Sequence, residues 1–221
     1  GQFEADILQS KAPSKFPVHV LGNGRIELLK PRYRNYFAPA ITQLKREHGD
    51  FILVNTNFAQ INSIWSQPGQ LEQIAIRAGW LDPNDPKSVR DWNEHIEFER
   101  TNLNLITKLV NALASKYPNT NIIIRPHPGE HIDRWISNFN MHNVKIIREG
   151  SHVPWTLAAK MLIHTSCTTG FEAFVAERPV ISLLPLETHY ARSMLANRVT
   201  QHHTCLEDTI LSAEKIIRGD F

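Results

Sequence analysis

A chain of 221 residues is long enough to bury a hydrophobic core, as one domain or a compact domain with an added arm. Its 24 basic and 22 acidic side chains leave a formal net charge of +2, too little for nucleic acid or a charged membrane surface to be the main partner. The two cysteines, Cys167 and Cys205, form no disulfide framework or CxxC zinc pair, and no apolar run reaches the roughly 18 residues that span a bilayer.

In chain order, residues 1–17 are polar, contain two prolines and lack a period, which predicts an arm or linker before a domain over 18–221. The segment begins Gly1-Gln2-Phe3-Glu4, with no signal-peptide pattern and no methionine, and reads as a piece of a longer or processed protein. Val18 to Leu21 is a short apolar run that stops at Gly22-Asn23-Gly24, the pattern of a strand feeding a turn. Pro31 opens a predicted helix to about His48, with Tyr33, Phe37, Ile41 and Leu44 along one side. Asp50 to Asn55 is a continuous apolar strand of the kind buried on both faces. Residues 66–91 read as an inserted loop with a short helix, and Asp82-Pro83-Asn84-Asp85-Pro86 as a turn cluster. A long helix follows from Trp92 to Lys116, with Leu103, Ile106, Val110 and Leu113 as its apolar stripe.

The second half alternates. Strands are predicted at 121–125, 144–147, 161–164 and 179–184, and helices at 133–140, 154–160, 168–177 and 207–218. Such alternation, with Ile-, Leu- and Val-rich strands, predicts an α/β fold: a Rossmann-like parallel sheet with helices on both faces.

Ligands of such sheets bind where strands end and helices begin. Three polar segments hold that position: Asn55-Thr56-Asn57, Arg125-Pro126-His127-Pro128, and His164-Thr165-Ser166-Cys167-Thr168-Thr169-Gly170. In the last, a helix start offers N–H groups and a positive dipole end to an anion, with hydroxyls from Ser166, Thr168 and Thr169. Gly170 permits close backbone approach there, and Glu172 in the first turn either caps the helix or reaches a ribose hydroxyl. The competing reading is an ordinary, well-capped helix. Prolines on both sides hold His127, so Arg125 and His127 suit phosphate oxygens; a rigid strand exit with a surface histidine is the other reading. His127 and His131 are separated by Pro128-Gly129 and cannot share a helix face, so no metal site is expected. Neither a Gly-x-Ser-x-Gly elbow nor a P-loop is present. Cys167 reads as a small buried spacer, and Trp155 and Phe174 as packing residues.

Ile123 to Pro128, Trp155 to Ala173 and Glu177 to Ile181 together resemble bacterial surface-carbohydrate biosynthesis proteins. They are also similar to capsule-type transferases of 3-deoxy-D-manno-octulosonic acid (Kdo). Segments 22–29 and 51–58 extend the first likeness over most of the chain. The resemblance implies the C-terminal, donor-binding half of a GT-B glycosyltransferase. By likeness to bacterial sialyltransferases with His-Pro and Ser/Thr motifs, His127-Pro128 and Ser166, Thr168 and Thr169 would contact the donor phosphate. Arg125, His164, Thr165, Gly170 and Glu172 complete the expected substrate site. A CMP-linked acidic sugar such as Kdo is the favoured nucleotide-sugar donor, with a glycan or lipid-linked acceptor and no cofactor. The implied setting is cytoplasmic, with peripheral association at the inner membrane through the full-length protein. The chain is too short for both halves of such an enzyme. The rival readings are a UDP-sugar 2-epimerase, a CDP-polyol phosphotransferase, and a non-catalytic nucleotide- or glycan-binding module.

Overall fold

The structure is a computed structural model and describes residues 2–11, 17–65 and 70–220. Its sheet has six parallel strands: β1 (Phe51–Asn55), β2 (Asn121–Arg125), β3 (Val144–Ile146), β4 (Met161–His164), β5 (Val180–Leu183) and β6 (Gln201–His203). They lie in the order β3-β2-β1-β4-β5-β6, the Rossmann arrangement, in which the chain changes direction between β1 and β4. Register places Asn55 opposite both Arg125 of β2 and His164 of β4, so three strands end level around one point.

Side-chain alternation explains the two helical layers. Ile52, Val54, Ile122, Ile124, Met161 and Ile163 face one way and pack on Ile106, Leu109, Val110 and Leu113 of α5 (Pro86–Lys116) and Ala213 of α11 (Leu206–Arg218). Phe51, Leu53, Ile123 and Leu162 face the other way. They meet Trp155 of α7 (His152–Ala158) and Ala173 of α8 (Thr168–Val175), edged by Ile41 and Leu44 of α3 (Ala38–His48). With apolar cover on both sides, every residue of β1 is buried.

Several expectations change. Val18 to Leu21 forms no strand; Leu21 is 90% exposed, and without a neighbouring strand to pair its backbone an apolar run gains nothing by extending. Asn23 instead caps a single turn, α2 (Gly24–Glu27), accepting from the Arg25 N–H at 3.0 Å. The helix expected from Pro31 opens as a 3-10 segment, Pro31–Phe37, before α3. α5 begins at Pro86, not Trp92, because Asp85 accepts the Lys87 N–H at 2.9 Å and Pro86 suits a first helical position. Within the stretch read as an arm, Gln2–Lys11 forms α1, supported by local pairing of Gln2 with Asp6, while residues 12–16 lie outside the described part. The expected inserted loop carries α4 (Leu71–Arg77), and its residues 66–69 also lie outside. His202 and His203 lie in the polar edge strand β6, where no strand was expected, and short helices α9 (His189–Ser193) and α10 (Leu195–Val199) precede it. One further turn, α6 (Ile132–Ile136), is shorter than the expected 133–140 helix. No described helix is long and apolar enough to cross a membrane.

Candidate functional site

The three strand ends that meet in register surround a cleft of about 390 Å³. Its walls include Asn55, Thr56, Arg125, His127, Pro128, Thr168 and Thr169. All three polar segments singled out in the sequence therefore contribute residues to one cavity, with the β1 end in the middle. Arg25, Arg148 and His152 also line it, and none of these was marked in the sequence.

The His127 turn is built from below by Glu130. This carboxylate is 0% exposed, and Oε1 accepts the His127 N–H at 3.0 Å and the Thr56 hydroxyl at 2.7 Å. Oε2 accepts from the Trp135 indole at 2.8 Å and from Asn62 at 3.4 Å. Four donors compensate its burial. Above it, the Gly129 N–H donates to His127 Nδ1 at 3.1 Å, which leaves the proton of the neutral ring on Nε2 as a free donor. Space is tight at Gly129: a Cβ would lie 2.8 Å from the exposed Trp65 ring, which would have to move, and 3.2 Å from His127 Nδ1.

Arg125 has other work. Its guanidinium donates to the carbonyls of Glu149 and Gly150 at 2.8 Å each, of Arg148 at 3.1 Å and of Ile147 at 3.5 Å, and lies over the Trp155 ring at 4.9 Å. Burial lowers its pKa to about 10, which still leaves it charged near neutrality. It anchors the 147–150 loop, and that loop presents Arg148 to the cleft. Arg148 donates through Nη2 to the Glu130 carbonyl, while its buried Nε has no partner among the described residues.

At the other wall, Cys167, Thr168 and Thr169 bring the start of α8, the positive end of its dipole, to the cleft, while the Gly170 N–H is taken by the Cys167 carbonyl at 3.0 Å. Thr168 is exposed, and Thr169 accepts from Asn55 Nδ2 at 2.9 Å. Cys167 is buried, which raises its pKa and keeps it a thiol.

The remaining expected site residues lie underneath. Ser166 is 0% exposed, with φ of 56°, and its hydroxyl accepts from Asn197 Nδ2 at 2.8 Å instead of facing the cleft. His164 is fully buried, its pKa lowered to about 3 by desolvation, and its Nδ1 accepts the Cys167 N–H at 3.3 Å. Gly170 serves that ring: a Cβ there would sit 2.1 Å from His164 Nε2. Thr165 is also buried, its hydroxyl without a partner among the described residues. Glu172 is 4% exposed and forms an ion pair with Arg25 (Nε to Oε1, 2.8 Å) and a close contact with His152. Among the described residues no group of three or more His, Cys, Asp or Glu is arranged to hold a metal ion.

Sequence reasoning missed Arg25, Glu130, Arg148 and His152. Glu130 follows the Pro128-Gly129 turn directly, and its nearness to His127 was a usable signal; the others arrive from distant segments and carried none.

No family model matches the sequence, and no curated protein matches it. Among solved structures, the chain is similar to the Methanocaldococcus jannaschii UDP-GlcNAc 2-epimerase, determined with UDP-GlcNAc and UDP, with a TM-score of 0.52 and 14% identity. That likeness covers 98% of this chain and 52% of the epimerase chain, so this chain spans about half of its length. It establishes a shared fold. Weaker likenesses are to the Neisseria meningitidis UDP-GlcNAc 2-epimerase (TM-score 0.44, 15% identity, 87% of this chain and 42% of that one) and to the β-Kdo 2,4-transferase of Thermosulfurimonas dismutans KpsC (TM-score 0.33, 15% identity, 87% and 60%).

Proposed function

We propose that the cleft binds the phosphate-bearing part of a nucleotide sugar, and that the chain is the donor-binding unit of a GT-B-type glycosyltransferase of bacterial surface polysaccharide. The supporting observation is the charge of one cavity: Arg25, Arg125, Arg148, His127 and His152 line it at the switch point of the sheet, and no carboxylate is among its lining residues. His127 Nε2–H, Arg148 and the N–H groups and Thr168 hydroxyl of the α8 start would hold the leaving phosphate. Such donors stabilise the charge that grows on phosphate as the glycosidic bond breaks. Arg125 acts as a positioning residue for Arg148. Glu172 reaches a ribose hydroxyl only if the nucleotide displaces it from Arg25. A CMP-linked acidic sugar such as Kdo is the donor favoured by the sequence resemblance. The acceptor is a glycan or lipid-linked saccharide.

The shared fold favours one second reading, an enzyme acting on a UDP-sugar as the archaeal epimerase does. Calorimetry with CMP, CDP, UMP and UDP separates the two by the base preferred. His127→Ala is expected to weaken the bound nucleotide by about 1–3 kcal/mol, the range for one charged hydrogen bond. Unchanged affinity removes His127 from the site, and failure of all four nucleotides to bind ends both readings.

A further inference from the structure

A second cavity, of about 460 Å³, has a lining richer in aromatic and acidic side chains than the basic cleft. Trp80, Trp92, His95 and Tyr190 supply aromatic surface, and Asp91 and Glu94 supply carboxylates. His95 is stacked on Tyr190 at 4.0 Å between ring centroids and lies 3.3 Å from the buried Glu99, so this wall is held in place. Trp80 is 63% exposed. Among the described residues the indole N–H groups of Trp80 and Trp92 and the carboxylate of Glu94 have no hydrogen-bond partner. Asn57, which follows the cleft residues Asn55 and Thr56, donates to the Tyr190 hydroxyl at 3.2 Å and so ties the β1 end to this wall.

We infer that this cavity binds a neutral or amino-bearing pyranose ring, as a glycan subsite. A sugar ring has an apolar C–H face and a rim of hydroxyls. Aromatic faces cover the first, and carboxylates, being acceptor-only, and indole N–H groups satisfy the second. The volume falls in the range for small-ligand sites. Charge disfavours an acidic sugar, since the lining holds three carboxylates (Asp85, Asp91 and Glu94) against one lysine, Lys87, which pairs with Asp91, and two histidines, His95 and His189. An acceptor role for this subsite rests on the nucleotide-sugar reading above; the binding of the sugar ring does not.

The test uses the whole chain, with chitobiose and lactose as probes and N-acetylneuraminic acid as the acidic control, read by saturation-transfer NMR and tryptophan fluorescence. A neutral disaccharide is expected to saturate the protein in the millimolar range. Trp92→Ala, and Trp80→Ala at a more exposed position, are expected to weaken it about tenfold, the worth of one aromatic face, with nucleotide affinity unchanged. Absence of disaccharide binding to a folded protein, binding unaltered in both variants, or preference for the acidic control overturns the inference. Tryptophan-dependent disaccharide binding by a protein that binds no nucleotide upholds the glycan site and sinks the nucleotide-sugar reading instead.

Discussion

The carboxylate of Glu130 holds the backbone of His127, accepting its N–H at 3.0 Å with the same oxygen that takes the Thr56 hydroxyl at 2.7 Å. One buried acid thereby ties the β1 end to the turn after β2. Glu130→Ala would leave the Thr56 hydroxyl and the Trp135 indole facing a void with no acceptor. A loss of about 2–4 kcal/mol in urea denaturation is expected, together with weaker nucleotide binding as the turn relaxes. Glu130→Gln, which keeps one acceptor but sets an amide N–H against donors, should fall between. Unchanged stability in Glu130→Ala would mean that the turn holds itself.

Gly170→Ala sets helix propensity against packing. Alanine in place of glycine favours a helix by up to about 1 kcal/mol. Its Cβ, however, would lie 2.1 Å from Nε2 of a ring that is buried on all sides. The clash wins, and a net loss of about 1–3 kcal/mol is expected. Removing the ring as well, in Gly170→Ala with His164→Ala, should show strong positive coupling in a double-mutant cycle. Simple additivity would refute the contact.

His164 also sets a pH dependence. Burial lowers its folded pKa to about 3, whereas an unfolded histidine titrates near about 6.5. Between those values the unfolded chain binds the extra proton, so this contribution is complete above about 6.5 and is lost as pH falls towards 3, by about 1.4 kcal/mol per pH unit. His48 and His203 are lowered in the same direction by burial and add to the trend. Urea midpoints at about pH 7 and about pH 5 should differ markedly less in His164→Gln than in the parent. An equal drop in both would assign the acid sensitivity elsewhere.

Arg125→Lys distinguishes an anchor from a ligand contact. The planar guanidinium serves four carbonyls and covers Trp155, and an ammonium can reproduce neither the fork nor the stacking. A stability loss of about 2–3 kcal/mol is expected, with nucleotide affinity falling through displacement of Arg148. Intact stability with reduced affinity would return Arg125 to direct phosphate contact.

Strands β1 to β5 were legible because they rest on local pattern, whereas the polar edge strand β6 was not. Runs such as Ile122-Ile123-Ile124 and Phe51-Ile52-Leu53-Val54 have no polar side to offer water, and the helices between them carry stripes at helical spacing. The His127 turn and the Thr168 helix start were legible for the same reason, since prolines and hydroxyls act on their own backbone. Val18 to Leu21 has the composition of a strand but no strand beside it, and composition alone does not reveal that absence.

Which side chains face the cleft was decided only by tertiary packing. Ser166 and Thr168 are alike in sequence, yet Asn197, from a distant helix, takes the hydroxyl of one and leaves the other exposed. Arg125 and Arg148 are both cations, and the carbonyls of the 147–150 loop saturate the first while the second keeps a buried N–H unpaired. Residue type and spacing determined where an anion has room to approach; partners distant in the chain decided which donors are still free to meet it, because a hydrogen-bonding group already satisfied inside the protein has little to gain from a ligand.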